Sequence, residues 1–328
     1  MEDSLVNNGF FNRKKINKKN NETTNKRFSF SMFVFLLIPL IFFFYFQFFT
    51  FYAPDTYVFV RYAVSDNLLR NISLFSITSN NFIFDLLTVV GDLLNLTSSL
   101  EFLLLIVISS ALLFIAKYAF LLKIGKKRNV IIVLLASFYV LDLNQLRLNL
   151  SLFFLIILLY NNKAKFLMLT LSLLSHLMPL AVIFTRKIYF IPLIIFIVLP
   201  LSLFLEVSRV FAYLDNPDLK FFKSLLLCIP YIICYVGMKK SQEFNYKLMK
   251  FGGAFLLLGF FFVFYSTVMA SRFFEIAFIL CAIANVYKPF NKTKSAILFL
   301  FAISTFISRS IGGINAGSNN FILEYMLN

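Results

Sequence analysis

Residues Glu101–Leu122 read EFLLLIVISSALLFIAKYAFLL, and this stretch decides the fold class. It matches the ~20 consecutive, predominantly apolar residues that carry a helix across a bilayer. Runs of the same kind recur at Ser31–Thr50, Ile188–Leu205 and Phe251–Tyr265. Across all 328 residues, 60% are hydrophobic and 46 are phenylalanine, where soluble domains hold roughly 45–50% apolar residues. The pattern predicts an all-α, polytopic integral membrane protein with about 9–11 transmembrane or re-entrant helices. Residues 1–27 are read as a basic cytoplasmic tail, residues 28–328 as one helical transmembrane domain, and 51–99 as an external segment within it.

The formal net charge of +16 does not point to nucleic acid, because the basic residues fall in short loops between apolar spans rather than on one soluble face. The first apolar run follows the basic head that contains FNRKKINKKN, is about twice as long as a signal h-region and lacks an A-x-A site, so a retained signal anchor is expected. Cys228, Cys234 and Cys281 lie inside apolar runs, where free cysteine behaves as a small hydrophobe. With a single histidine and no HExxH, CxxC or clustered carboxylates, no metal site is expected. Neither GxxxxGK[ST] nor GxGxxG occurs, so no cofactor is expected and ATP-driven chemistry has no sequence support.

The basic head places the N-terminus in the cytoplasm, and the first helix, roughly 30–50, crosses outward. Leu100–Leu122 returns to the KIGKKR loop, Asn129–Leu141 goes out again, and Leu148–Tyr160 comes back. This puts LDLNQLRLNLSL, Leu141–Leu152, at the outer rim of a helical hairpin. The run Phe166–Phe184 has SHLMP in its middle and ends at Arg186 and Lys187. Crossing straight, it divides the 31 Lys and Arg into 19 inside and 12 outside; folding back near His176 and Pro179, it divides them 23 to 8. The positive-inside rule favours the re-entrant path, and irregular backbone at membrane depth is tolerated where it lines a protein-walled cavity.

That path puts Arg147 and Arg272 on the same outer side. Its outer set is six Arg and two Lys, its inner set four Arg and nineteen Lys. Arginine's planar fork suits bidentate recognition of phosphate or diphosphate, so the outer face is expected to handle an anion.

Each candidate residue has a bland reading beside the functional one. Arg147, with Asp142, Asn144 and Gln145, fits interfacial snorkelling as well as anion binding. A solitary histidine such as His176 is more often a hydrogen-bonded structural residue, yet half-helix ends are where membrane proteins build ligand sites. Arg272 has Glu275 three residues on, within reach on one helix face. Asp55 and Tyr57, in FYAPDTYVFVRYAVS, fit a helix cap and an interfacial aromatic belt.

The order of these features resembles the EpsG-like family of Wzy-type polysaccharide polymerases. The resemblance rests on Asp55 and Tyr57 in PDTYVFVRY, Arg147 in LNQLRLNLSLFFLIILLYNNKAKF, His176 in LMLTLSLLSHLMPLAVIF and Arg272 in MASRFFEIAFIL. The chain departs from the family at NNFIFDLL, with Asn81 and Asp85 where members often carry a Glu-Pro pair, and leucines replace the usual small residues around the arginine.

The resemblance implies a GT-C-like, lipid-dependent glycosyltransferase of the bacterial cytoplasmic membrane. Such an enzyme joins undecaprenyl-diphosphate-linked oligosaccharide repeat units at the outer face. Its partners would be that lipid-linked oligosaccharide, membrane lipid, and a chain-length regulator and flippase of the same pathway. On this reading Arg147 and Arg272 clamp the donor diphosphate, with Tyr57, Asn144 and Gln145 binding substrate. His176 holds the diphosphate or orients the acceptor, and Asp55 or Glu275 assists the attacking hydroxyl. A flippase or transporter of lipid-linked glycans and a membrane acyltransferase are the alternatives.

Overall fold

The computed structural model describes residues 30–45, 82–96, 99–143, 145–160, 165–175, 221–236, 243–263 and 266–317. Among these residues every regular element is a helix and no strand occurs. The first helix, α1 (Phe30–Tyr45), belongs to a unit, Met1–Phe44, distinct from Tyr45–Asn328. Pro39 stands inside α1 and leaves one backbone carbonyl without its helical donor. All later helices belong to the second unit.

Helix α2 (Phe82–Leu93) is amphipathic, with Thr88 and Gly91 buried and Leu86, Asp92 and Leu93 exposed. It spans only about 18 Å and is too short to cross a bilayer. A Schellman motif ends it: Asn95 adopts the left-handed conformation at φ 54°, Leu96 N–H donates to the Gly91 carbonyl at 3.0 Å and Asn95 N–H to the Asp92 carbonyl at 3.0 Å.

Three helices among the described residues are long and apolar enough to span a membrane: Glu101–Ile124, Met269–Tyr287 and Lys292–Ile311. They fall in α3 (Ser99–Ile124), α10 (Thr267–Tyr287) and α11 (Lys292–Gly317). Their burial differs sharply, at 89% of the apolar window for α10 and 11% for α11. In lipid no hydrophobic force drives helices together, so close packing decides. Accordingly, the buried α10 supplies small residues such as Ala270, Ala277, Ala282 and Ala284 to its contacts. Leu104, Ile108, Leu112 and Ile115 instead form an exposed stripe on α3, the face such a helix turns to lipid.

Around α10 stand α4 (Lys127–Ser137), α7 (Phe221–Leu226), α8 (Cys228–Tyr235) and α9 (Glu243–Phe262). Helix α9 forms a hairpin with α10, which Ser266 caps by accepting from Met269 N–H at 3.3 Å. Glycine permits their close approach, since a Cβ at Gly259 would lie 2.7 Å from Cδ1 of Phe274. The break between α7 and α8 has a simple cause: Pro230 has no N–H to give the Leu226 carbonyl. Helices α5 (Leu146–Tyr160) and α6 (Lys165–Ser175) pack together through reciprocal serines. Ser151 Oγ donates to the Ser172 carbonyl at 2.9 Å and Ser172 Oγ to the Ser151 carbonyl at 2.9 Å.

Several helix ends converge at one end of this unit. Tyr160 closing α5, Phe244 opening α9 and Tyr287 closing α10 form an aromatic triangle with centroid separations of 5.4, 4.9 and 5.9 Å. Phe120, near the end of α3, joins it 5.5 Å from Tyr160, and Gly125 lies against Val286. Asn129 in the first turn of α4 donates to the Asn285 carbonyl at 2.8 Å, and Ser295 in the first turn of α11 donates to Asn285 Oδ1 at 3.0 Å. The same end carries the Lys123–Arg128 and Lys288–Lys294 stretches. We call it the basic-loop end.

Candidate functional site

Measured from that end along each helix axis, Arg147 lies about 20 Å up α5, Arg272 about 22 Å and Glu275 about 18 Å up α10, and Arg309 about 25 Å up α11. The sequence thus places three arginines and a glutamate at the far end of the unit, on three helices that all terminate at the basic loops.

Arg147 is half-buried in the first turn of α5, between the buried Leu146 and Leu148. Gln145 N–H donates to the Leu141 carbonyl at 3.1 Å, and the Gln145 carbonyl accepts from Asn149 N–H at 2.8 Å. Arg272 is exposed near the start of α10, and Glu275 follows one turn later with only 5% exposure. The Glu275 carboxylate accepts from the Arg309 guanidinium and, at 3.3 Å, from Ser224 Oγ on α7. Helices α7, α10 and α11 are therefore joined by one polar cluster. Arg309 sits near the segment leading to Arg147, because Phe306, one turn before it, meets the rings of Tyr139 at 5.1 Å and Phe138 at 6.0 Å.

A second polar cluster lies inside the bundle. Lys117, within α3, donates to the Asp142 carboxylate, to Ser137 Oγ at 3.3 Å and to Asn149 Oδ1 at 3.2 Å. Asp142 is held by two groups at each oxygen. Oδ1 takes Lys117 and Asn149 Nδ2 at 2.8 Å; Oδ2 takes Tyr118 Oη at 2.9 Å and Ser137 Oγ at 3.0 Å. All three ammonium hydrogens are thereby used.

Backbone geometry makes this possible. Residues Phe138–Asp142 form a π-helical turn, closed by Leu143 N–H on the Phe138 carbonyl at 2.9 Å, and its i to i+5 spacing stacks Asp142 above Ser137. An unpaired charge at this depth would cost several kcal/mol, so the site is viable only because every member has a partner.

The expected chain reversal at Leu141–Leu152 is present, since α4 begins and α5 ends at the basic-loop end. The two arms of this hairpin lean on different neighbours, α4 on α10 and α11 and α5 chiefly on α6. Asp142 and Asn149 turn inward to Lys117, and Arg147 alone of the three belongs to the arginine end. The π turn sets Asp142 over Ser137 and so toward Lys117.

Among the other expected site residues, Arg147, Gln145, Arg272 and Glu275 are described, whereas Asp55, Tyr57, Asn144 and His176 lie outside the described residues. The same holds for the segment beyond Ser175 that the re-entrant path concerns. Sequence reading missed Lys117, Ser224 and Arg309 as members of polar clusters. Lys117 did carry a signal, a lone cation inside an apolar run, and Arg309 belonged to the arginine-rich outer set.

Cys228, Cys234 and Cys281 are free and buried. Among the described residues no group of three or more His, Cys, Asp or Glu side chains is arranged to hold a metal ion. No family model, curated protein or solved structure matches the chain.

Proposed function

We propose that this chain is a metal-independent, membrane-embedded glycosyltransferase that polymerises lipid-linked oligosaccharide repeat units. The observation that carries the reading is the common placement of Arg147 and Arg272, each about 20 Å from the basic-loop end. Two fixed cations on one side are what a polyprenyl diphosphate leaving group requires. If the basic loops face the cytoplasm, the arginines face outward, where assembled repeat units are joined.

In the reaction, the hydroxyl at the nonreducing end of one lipid-linked unit attacks the anomeric carbon of another. A glycosidic C–O bond forms, the bond from that carbon to the diphosphate breaks, and the hydroxyl proton leaves with a base. Because the diphosphate is already a good leaving group, the protein mainly supplies positive charge where negative charge grows, and a fixed position for the acceptor. Arg147 and Arg272 take the first role. His176 and Asp55, which lie within the motifs that resemble the polymerase family, are assigned to acceptor orientation and proton removal. The site lies in a bacterial cytoplasmic membrane with the N-terminus inside.

The test is purified protein in liposomes supplied with a lipid-diphosphate-linked oligosaccharide. Products longer than one repeat with release of free lipid diphosphate support the reading; unchanged substrate overturns it.

A transporter of lipid-linked glycans is the second reading, favoured by the Lys117–Asp142 pair, since ionisable groups inside a membrane bundle often mark a translocation path. Movement of the lipid-linked unit between leaflets with no change in glycan length would support it.

A further inference from the structure

The reaction proposed above uses the basic-loop end only as a marker of sidedness. We propose that this end is a docking surface for anionic phospholipids, whose headgroup phosphates seat on cations drawn from two loops. The inference stands apart from the glycosyltransferase reading, and its test alters no residue assigned there.

Three observations carry it. The first is charge. Lys123, Lys126 and Arg128, where α3 gives way to α4, and Lys288 and Lys292, between α10 and α11, are all exposed. Little opposes them. Among the described carboxylates, Glu101 opens α3 at its other end, and Asp142 and Glu275 are committed to their own pairs. Asp85 and Asp92 belong to α2, whose Gly91 packs on Phe102, also far up α3. Of the described acids, Glu243 alone begins a helix at the basic-loop end.

The second observation is that the two loops are locked together. Charges that only set topology act through their number near the ends of spans and need no fixed arrangement. Here the arrangement is fixed. Asn129, beside Arg128, donates to the Asn285 carbonyl at 2.8 Å. Gly125, beside Lys126, meets Val286, two residues before Lys288, so closely that a Cβ would run into the Val286 carbonyl oxygen. The second loop is braced in turn: Phe290 N–H donates to Asn285 Oδ1 at 2.9 Å, Asn245 Nδ2 to the Lys288 carbonyl at 3.0 Å, and Lys294 N–H to Asn291 Oδ1 at 2.9 Å. Like charges are thus held near one another on a fixed frame, an arrangement that a bound anion relieves.

The third is access from the bilayer. Tyr160 and Tyr287, 44% and 42% exposed, stand at this same end, and such rings settle at headgroup level. Phe299 and Leu300 are exposed on α11 about two turns beyond Lys292. A lipid with its phosphate on Lys292 can run its chains along that face, whereas a soluble anion would use the charges and not the apolar flank. Basic clusters of this size beside a span are of the kind that draws anionic headgroups.

The test is binding of a fluorescent phosphatidylglycerol to the detergent-purified full chain, with phosphatidylcholine carrying the same label as the neutral comparison. The wild-type chain is expected to prefer phosphatidylglycerol ~10-fold or more, and to lose that preference as salt rises from about 0.05 to about 0.5 M. The triple variant Lys126→Gln, Arg128→Gln and Lys292→Gln should weaken phosphatidylglycerol ~5-fold for each charge removed and leave phosphatidylcholine unchanged. Where it does not stay monodisperse, the single variants Lys126→Gln and Lys292→Gln read the same step. Lys126→Arg with Lys292→Arg, which keeps the charge, should bind as the wild type does.

Equal binding of the two lipids by the wild-type chain overturns the proposal. So does an undiminished preference in the glutamine variants, which would move the site to other cations of the chain. Displacement of the labelled lipid by millimolar inorganic phosphate also overturns it, by making the ligand a soluble anion.

Discussion

Two ion pairs are built into this bundle, and they differ in kind. Lys117–Asp142 is closed: Ser137, Asn149 and Tyr118 complete the hydrogen bonding of both partners, and neither side chain exceeds 4% exposure. In Arg309–Glu275 the cation is less deeply set, at 25% exposure, and the pair stands at the end where two further arginines are found. The first ties α3, the π turn and α5 together. The second ties α7, α10 and α11 together through Ser224 and Glu275. A buried charge is expensive in either place; the difference lies in how deeply the cation is set.

The closed pair gives the largest expected effect. Lys117→Ala or Asp142→Ala leaves one buried charge without its partner and should destabilise the bundle by about 3–5 kcal/mol. Thermal unfolding in detergent, followed by size-exclusion chromatography, reads this. The double variant Lys117→Met with Asp142→Leu should recover most of the loss. Equal stability of single and double variants would remove the closed pair from one side of the comparison.

At the arginine end the effect should fall on rate. Arg147→Ala and Arg272→Ala should each lower polymerisation in liposomes ~10²- to 10³-fold, if each charge acts on the departing diphosphate. Normal insertion and unfolding temperature should accompany the loss. Full polymer length with either arginine removed breaks the assignment.

The smallest effect should come from a contact with no charge at all. Ser172→Ala removes half of the serine clasp between α5 and α6 and should cost about 0.6 kcal/mol, the average for interhelical hydrogen bonds in a membrane bundle. A cost near that of Lys117→Ala would mean that the clasp, rather than the ion pair, holds α5 in place.

Much of the helical scaffold was readable in advance. The sequence predicted a helix over Leu100–Leu122, and α3 runs Ser99–Ile124; apolar runs of bilayer length leave little choice. The polar interior was less readable. Lys117 did not interrupt the hydropathy of its run, and its partners lie 20, 25 and 32 residues away. The neighbour rule for helix faces linked Glu275 to Arg272, while the contact with Arg309 spans 34 residues and needs the tertiary fold. The π turn has no residue signature of its own in FYVLD. Expected helix number stood at about 9–11, and among the described residues three are long and apolar enough to cross. Helices such as Leu146–Tyr160 fall short because the polar LDLNQLR segment consumes the length that apolar residues would otherwise occupy.

The π turn also makes this region sensitive to chain length rather than to chemistry. Five residues close a ring that an ordinary helix would close with four, so one extra residue is stored at Phe138–Asp142. Deleting a single residue there would restore α-helical spacing and rotate all that follows by about 100°. Asp142 would swing off Lys117, and Arg147 would turn away from the face it now occupies. Every side chain named in either cluster could survive such a deletion unchanged while the two clusters came apart, which makes the register between α4 and α5 as much a determinant of this end as any arginine in it.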